Sequence, residues 1–233
     1  MPPKTGVSNR LVSHHLNEGL KMRPINIYTF VHDTVLQKND RHLKYLFFDI
    51  FTPQLSKMTG RSVNVVFLRN IPDITNFDYL SFSDNRLDID PVIEALSTAI
   101  KAVFAAYMAE HRRAGKPADL YLILIDGLLM PSLGVEGLAI PEANIAIATT
   151  LGRTVVAHEI GHCLGATHED VALYREPERN DPSHCATFMA TGRVEGACSI
   201  FSFSSENYAN IKQHLKKPLK THNKNNKKRI HSG

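Results

Sequence analysis

Apolar and polar residues follow one another with two different periods along this chain, and each period predicts a kind of element. In Pro24–Val31 the apolar side chains fall at alternate positions, which is typical of a half-buried strand. Ser62–Leu68 is rich in β-branched residues and predicts a second strand. The unbroken apolar run Leu120–Ile125 predicts a strand buried on both faces of a sheet. Two shorter strand candidates follow, Gly137–Ile140 and Asn144–Ala148.

Apolar residues three and four positions apart predict two helices between these strands. The first begins at Asp40 and extends toward Gly60, and Pro53 is expected to kink it. The second begins at Asp90, a residue type that caps helices, and extends to about Arg113; the proline after Asp90 is tolerated in a first turn. Its predicted apolar face consists of Ile93, Leu96, Ile100, Val103 and Tyr107.

Two more helices are predicted in the C-terminal half. One begins near Leu151, and the other is capped by Ser204, with Tyr208, Ile211 and Leu215 on one face. The resulting order, β-α-β-α-β-β-β-α and a final helix, predicts a mixed α/β domain built on one sheet. No run of about 18 apolar residues occurs, so we expect no membrane-spanning segment.

The segment from 158 to 168, HEIGHCLGATH, carries the candidate chemistry of the chain. On a helix, His158 and His162 are four residues apart, so both imidazoles leave one face and can reach the same Zn²⁺ ion at about 2.0–2.1 Å. Glu159 is rotated away from the ligands and is placed to bond a water molecule beside the metal. Histidines that merely face solvent or the core are the alternative interpretation, which this spacing disfavours.

A third histidine completes the pattern only if the helix ends. In a continuous helix, His168 would lie about 15 Å along the axis from His158. Gly165 can adopt a positive φ, end the helix and return the chain beneath the metal. Three neutral imidazoles leave the fourth position of a tetrahedral zinc ion open, as in catalytic rather than structural zinc sites.

This motif resembles the extended zinc signature of the metzincin metalloproteases. Met189, in the segment CATFMATG, matches the methionine of the turn that this family has beneath the zinc. Gly137, Leu138 and Ala139, with the Met189 segment and the later FSFSSENYANIKQHL, make the chain most similar to the reprolysin (adamalysin) branch. Glu169, directly after the third histidine, is instead an astacin-like feature.

The resemblance covers roughly residues 24–215 and implies a metzincin-like catalytic domain there, with a twisted five-stranded mixed sheet and about four helices. The implied activity is that of a Zn²⁺-dependent endopeptidase in which Glu159 acts as general base. The implied substrate is a protein or peptide that pairs in extended form with the edge strand Gly137–Ile140. The loop Thr191–Ala197 would form a wall of the pocket for the residue after the cleaved bond.

Two other functions stay open on the sequence alone. A catalytically silent module would bind zinc and engage partners through its cleft, but such modules usually lack the glutamate that Glu159 provides. A metal hydrolase that acts on a non-peptide amide would share the zinc motif and would leave a peptide library intact.

Charge is unevenly distributed along the 233 residues. Eight of the 27 basic residues and no acidic residue lie between Lys212 and Gly233, so the rest of the chain carries 19 basic against 23 acidic side chains. The acidic body argues against a nucleic-acid-binding face. We expect the basic tail, residues 216–233, to be solvated and flexible, with polyanion binding as the less favoured alternative. A monomer is assumed.

Three cysteines allow at most one internal disulfide, and Cys185 and Cys198, which flank the Met189 segment, are the candidates for it. Cys163, on the zinc helix, points away from the ligand face, so packing is its expected role. The polar lead, residues 1–23, lacks the apolar core of a secretory signal. The family resemblance favours an extracellular location, and the compartment stays open.

Overall fold

The computed structural model describes residues 23–82, 90–111, 118–175, 184–191 and 200–216. The strands in these ranges are β1 (Ile25–Val31), β2 (Val63–Leu68), β3 (Asp119–Ile125), β4 (Gly137–Ile140), β5 (Ile145–Thr149), β6 (Leu173–Arg175) and β7 (His184–Ala186). The α-helices are α1 (Asp40–Leu43), α2 (Thr52–Thr59), α3 (Asp90–Glu110), α4 (Val155–Cys163) and α5 (Ser205–Lys216). Nearly all of the predicted polar lead and nearly all of the predicted basic tail lie outside the described residues.

Five strands form one mixed sheet in the order β2-β1-β3-β5-β4. The pairs of β1 with β2, of β1 with β3 and of β3 with β5 are parallel, whereas β4 is antiparallel to β5. In this register Ile27 pairs with Val65 on one side and with Leu120 on the other. The predicted mixed α/β fold with a five-stranded sheet is therefore confirmed, and β4 forms an edge of that sheet.

The sheet lies between two layers of helices, and each layer has its own apolar core. Strand β3 contributes to both, because its even-numbered residues from Leu120 to Leu124 pack with α4 and α5. Its odd-numbered residues from Tyr121 to Ile125 pack with α3. All seven residues of β3 are buried, as its apolar run predicted.

The segment predicted as a single kinked helix contains two short helices and a π-helical turn. Helix α1 passes directly into this turn, Lys44–Phe48, and α2 begins only at Thr52. The prediction of a kink at Pro53 is therefore wrong in position, since Pro53 lies in the first turn of α2, where its missing N–H group costs no hydrogen bond. The π-helical turn buries Phe47 and Phe48 side by side in the core.

Helix α3 begins at Asp90, as predicted, and covers one face of the sheet. Its buried face is slightly rotated from the predicted one, since Ile93 and Val103 are only partly buried. By length and apolar composition alone α3 would be able to cross a membrane, but its buried face packs against the sheet. That face consists of Val92, Leu96, Ile100, Phe104 and Tyr107.

Two details near the zinc motif differ from the prediction. Helix α4 begins at Val155 rather than near Leu151, which is exposed in the preceding turn. Strands β6 and β7 form a separate antiparallel pair that the sequence analysis missed. Each has only three residues, so neither is long enough for an alternating pattern to be recognised.

Replacing Leu96 with alanine should destabilise the protein by about 2–5 kcal/mol, because the side chain is buried between α3 and the sheet and its loss leaves a cavity. Urea unfolding followed by circular dichroism measures this change. Glu94→Ala, at an exposed position of the same helix, serves as the control and should change the midpoint little. Equal midpoints for the two variants would contradict the packing of α3 on the sheet.

Candidate metal centre

Helix α4 carries His158 and His162 on one face and ends at Cys163. The Nε2 atoms of His158 and His162 lie 3.1 Å apart. The N–H of Gly165 donates to the carbonyl of His162 at 2.9 Å. The N–H of Ala166 reaches back to the carbonyl of Gly161, also at 2.9 Å. With φ at 89°, Gly165 is in the left-handed conformation that this type of helix end requires, as predicted.

The turn at Gly165 brings the third histidine of the motif back to the helix. The Nε2 atom of His168 lies 2.9 Å from that of His162 and 3.1 Å from that of His158. The three imidazoles form a group that could hold a metal ion, and no other such group of histidine, cysteine or acidic residues is found within the described ranges.

Backbone carbonyls orient two of the three rings. Nδ1 of His158 donates to the carbonyl of Phe188 at 2.8 Å, and Nδ1 of His162 donates to that of Ala166 at 3.1 Å. Because each neutral ring carries only one N–H group, the Nε2 atoms of both then present lone pairs to the centre of the group. Lone pairs that face each other at this distance repel unless a cation lies between them.

The dimensions and chemistry of the three-histidine group fit zinc. A tetrahedral zinc ion bound at about 2.0–2.1 Å separates its nitrogen ligands by about 3.3–3.4 Å, slightly more than the 2.9–3.1 Å found here. Small ring rotations would supply this difference. Three protein ligands also leave one tetrahedral position open, as in catalytic zinc sites.

Burial favours the neutral form of two rings in the group, those of His158 and His162. Desolvation lowers the pKa of His158 to about 4, and the nearby His162 and His168 add to this effect. The pKa of His162 is also lowered, chiefly by burial and then by His168. A histidine binds metal only in its neutral form, so these shifts leave both rings ready to bind near neutral pH.

Glu159 lies on the same helix and is buried against the edge of the sheet. Burial raises the pKa of its carboxyl group to about 8. A cation at the neighbouring imidazoles would oppose this shift, because an opposite charge favours the ionised carboxylate. The carboxyl group lies so close to Gly137, the first residue of β4, that a Cβ atom there would be 2.5 Å from Oε1 of Glu159.

Met189 lies against the opposite side of α4. It is fully buried, and a Cβ atom placed on Gly161 would be 2.7 Å from its sulfur atom. The same Cβ atom would be 2.7 Å from the ring of Phe203. Met189 belongs to a tight turn that is closed by a hydrogen bond from the N–H of Ala190 to the carbonyl of Thr187. The methionine and its turn thus pack beneath the helix that carries the histidines.

The remaining candidate residues are two residues of β4, the cysteines and the predicted pocket wall. Leu138 and Ala139 lie on β4, which pairs with β5 on one side and with no strand on the other within the described residues. Cys163 is free and buried, its thiol donates to the carbonyl of Ile145, and burial raises its pKa to about 12. Cys185 is disulfide-bonded. Cys198 lies outside the described residues, and so do residues 192–197 of the predicted pocket wall Thr191–Ala197.

The groups that support the three histidines were not predicted from the sequence. Carbonyls such as that of Phe188 have no sequence signature, because every residue carries one. Asn207 of α5, which is fully buried and bonded to the main chain beside His168, was also missed. Asn207 lies one turn before Ile211, on the buried side of α5. A polar residue at a position on the apolar face of a predicted helix is the sequence feature that could have identified it.

Comparison with known proteins shows a shared fold at low identity. No protein-family model matches the chain, and no curated protein sequence matches it. The structure is similar to that of metalloproteinase-II from Bacteroides fragilis, with 16% identity and a TM-score of 0.53 over 84% of this chain. The match spans 54% of that protein, so this chain corresponds to about half of its length.

A second solved structure that matches is a zinc-dependent peptidase from Methanocorpusculum labreanum, with 16% identity and a TM-score of 0.39 over 79% of this chain and 99% of that chain. The likeness to metalloproteinase-II shows that this chain shares the fold of that structure. The histidine group found above is compatible with zinc.

Zinc should stabilise the folded protein by binding the three histidines. At free zinc concentrations about 1,000 times Kd, the expected gain is about 4 kcal/mol, measurable as a higher melting temperature. His162→Ala removes one ligand and should abolish most of this shift, whereas His42→Ala, at an exposed position of α1, should retain it. A zinc-dependent shift that survives in the His162 variant would contradict the assigned site.

Proposed function

We propose that this protein is a zinc metalloendopeptidase of the metzincin type. The observation that carries the proposal is the convergence of three Nε2 atoms within 3.1 Å of one another, two from helix α4 and one from the loop after it, with a buried glutamate on the same helix. His158, His162 and His168 would hold the metal, and the open side of the group would receive the substrate.

The chain's own groups would perform the proton transfers of peptide hydrolysis. Bound zinc would supply a Lewis acid that polarises the scissile carbonyl and lowers the pKa of water. Glu159 would accept the proton of the attacking water and later deliver it to the leaving amine. The apolar surroundings that raise the pKa of Glu159 also favour return of the proton, since they disfavour a lasting carboxylate charge.

The edge strand β4 supports an extended peptide as substrate. Its outer side has no partner strand among the described residues, so its backbone N–H and C=O groups can pair with a peptide as an additional strand. Gly137, Leu138 and Ala139 would then contribute main-chain hydrogen bonds. Gly137 lies directly beside Glu159, so a peptide on this edge would pass the general base.

Met189 is proposed as the methionine of the metzincin turn. Its support is its position beneath α4, against Gly161, and the adjacent Phe188 carbonyl that accepts the hydrogen bond of His158. The reprolysin branch is proposed from the sequence motifs, and Glu169 remains its astacin-like departure.

Replacing Glu159 with alanine should abolish detectable peptide cleavage, with a rate loss of at least about 10²–10⁴-fold, because the proton acceptor is lost. Zinc should stay bound at one ion per chain, since Glu159 is not a proposed ligand. The measurement combines mass-spectrometric mapping of cuts in a peptide library, with and without a chelator, and metal analysis of each protein. Glu206→Gln, which alters an exposed carboxylate on α5, is the matched control.

The same experiment separates the proposal from its two rivals. Chelator-sensitive cuts that vanish in the Glu159 variant support an endopeptidase. A zinc-loaded wild-type protein that leaves every peptide intact would favour a silent binding module or a hydrolase of non-peptide amides. Cuts that persist in the Glu159 variant would contradict the assigned general base.

Gly137→Ala should lower kcat by about 10²-fold, since displacement of a catalytic group by about 1 Å has effects of this size. The added Cβ atom would lie 2.5 Å from Oε1 of Glu159, so the carboxyl group has to move. Zinc stoichiometry and melting temperature in the zinc-bound form provide the internal control and should change little. An unchanged kcat in this variant would contradict the close placement of β4 and Glu159.

A further inference from the structure

We propose that Asn207 is a positioning residue that holds the loop of the third metal ligand, His168, against helix α5. This inference rests on the zinc site of the proposed function, but not on its peptidase activity. Asn207 is fully buried in the first turn of α5. Its side chain makes three hydrogen bonds, and all of them go to main-chain atoms of the loop Thr167–Asp170.

The hydrogen bonds of Asn207 fix the loop on both sides of the ligand. Its Oδ1 atom accepts from the N–H of Thr167 at 2.7 Å. Its Nδ2 group donates to the carbonyl of Thr167 at 3.1 Å and to that of Asp170 at 3.0 Å. One rigid planar amide therefore links the residue before His168 with a residue two positions after it.

The position of the His168 ring depends on the backbone more than the positions of the His158 and His162 rings do. His158 and His162 lie on a regular helix, and each donates from Nδ1 to a carbonyl that fixes the ring. His168 is exposed and lies beyond the helix end. Within the described part of the chain, no group accepts a hydrogen bond from its Nδ1 atom. The position of its ring therefore follows from the position of the loop.

Two residues near Asn207, one before α5 and one in it, complete the attachment of the loop. The hydroxyl of Ser204 caps α5 by accepting from the N–H of Asn207 at 3.0 Å, and it donates to the carbonyl of Asp170. Asn210 donates to the carboxylate of Asp170 at 2.6 Å. Of these three side chains, Asn207 alone bonds main-chain atoms on both sides of His168.

The test measures zinc affinity in Asn207→Ala and Asn207→Asp by competition with a chelating dye. The aspartate variant keeps the acceptor for Thr167 but replaces the donor with an oxygen that faces two carbonyls. Supporting groups around metal ligands typically contribute about 10–100-fold to metal affinity, so we expect both variants to bind zinc about 10–100-fold more weakly. The visible spectrum of the cobalt-loaded protein should also change, since it is sensitive to ligand geometry.

Two control variants separate positioning from general stability. Leu215→Ala removes a buried side chain of α5 that makes no hydrogen bond to the loop, so it should lower the unfolding midpoint without weakening zinc affinity in the folded protein. Gln213→Ala, at an exposed position of α5, should change neither. If Asn207→Ala does not fold, the near-isosteric Asn207→Asp carries the test.

A thermodynamic cycle with the ligand itself completes the experiment. In a His168→Ala background, Asn207→Ala should cost no further zinc affinity, because the group that it positions is already absent. An equal further loss in that background, or folded Asn207 variants with wild-type affinity and cobalt spectrum, would overturn the inference. A wild-type protein that binds no zinc would overturn the proposed function as well, so the two failures are distinguishable.

Discussion

A helix that continued beyond Leu164 would carry His168 about 15 Å along its axis from His158, yet the Nε2 atoms of these residues lie 3.1 Å apart. The left-handed turn at Gly165 accounts for the difference. A side chain there would be strained, and its Cβ atom would also lie 3.2 Å from that of His214. The same turn places the carbonyl of Ala166 where Nδ1 of His162 reaches it. One backbone conformation thus brings His168 into the histidine group and orients the ring of His162.

Close packing around α4 gives the site its electrostatic character. The helix lies against the sheet edge on one side, where Gly137 leaves room for the carboxyl group of Glu159. It lies against Met189 and Phe203 on the other side, where Gly161 has no side chain to keep them away. The resulting loss of water lowers the pKa of His158 and raises that of Glu159. Both shifts favour uncharged groups until a cation is bound.

The elements that could be predicted are those whose sequence pattern is carried by a few adjacent residues. The apolar run of β3, the Asp90 start of α3 and the Ser204 cap of α5 each depend on a few adjacent residues, and each is found in the structure. The histidine group was likewise predictable, because its three ligands fall within one helix and the turn that ends it.

What could not be predicted depends on contacts between distant segments or on weak local preferences. The π-helical turn Lys44–Phe48 is closed by a bond from the N–H of Asp49 to the carbonyl of Lys44, five residues back rather than four, and it buries Phe47 and Phe48. The acceptor for His158 comes from Phe188, 30 positions along the chain. The amide that holds the His168 loop comes from Asn207, 40 positions from Thr167. Contacts between residues so far apart in sequence cannot be predicted from a local pattern.

Metal binding at the three histidines would be linked to folding of the rest of the domain. The three histidines are close in sequence, so an unfolded chain could bring all of them near one ion. The Phe188 carbonyl and the Asn207 amide, in contrast, are brought to the histidines by the tertiary fold. At the proposed zinc site, high affinity would therefore require the Met189 turn and α5 to be packed in place. By linkage, an ion bound at the histidines stabilises that packing in return. On this proposal α5 would be part of the metal centre, although none of its residues belongs to the three-histidine group.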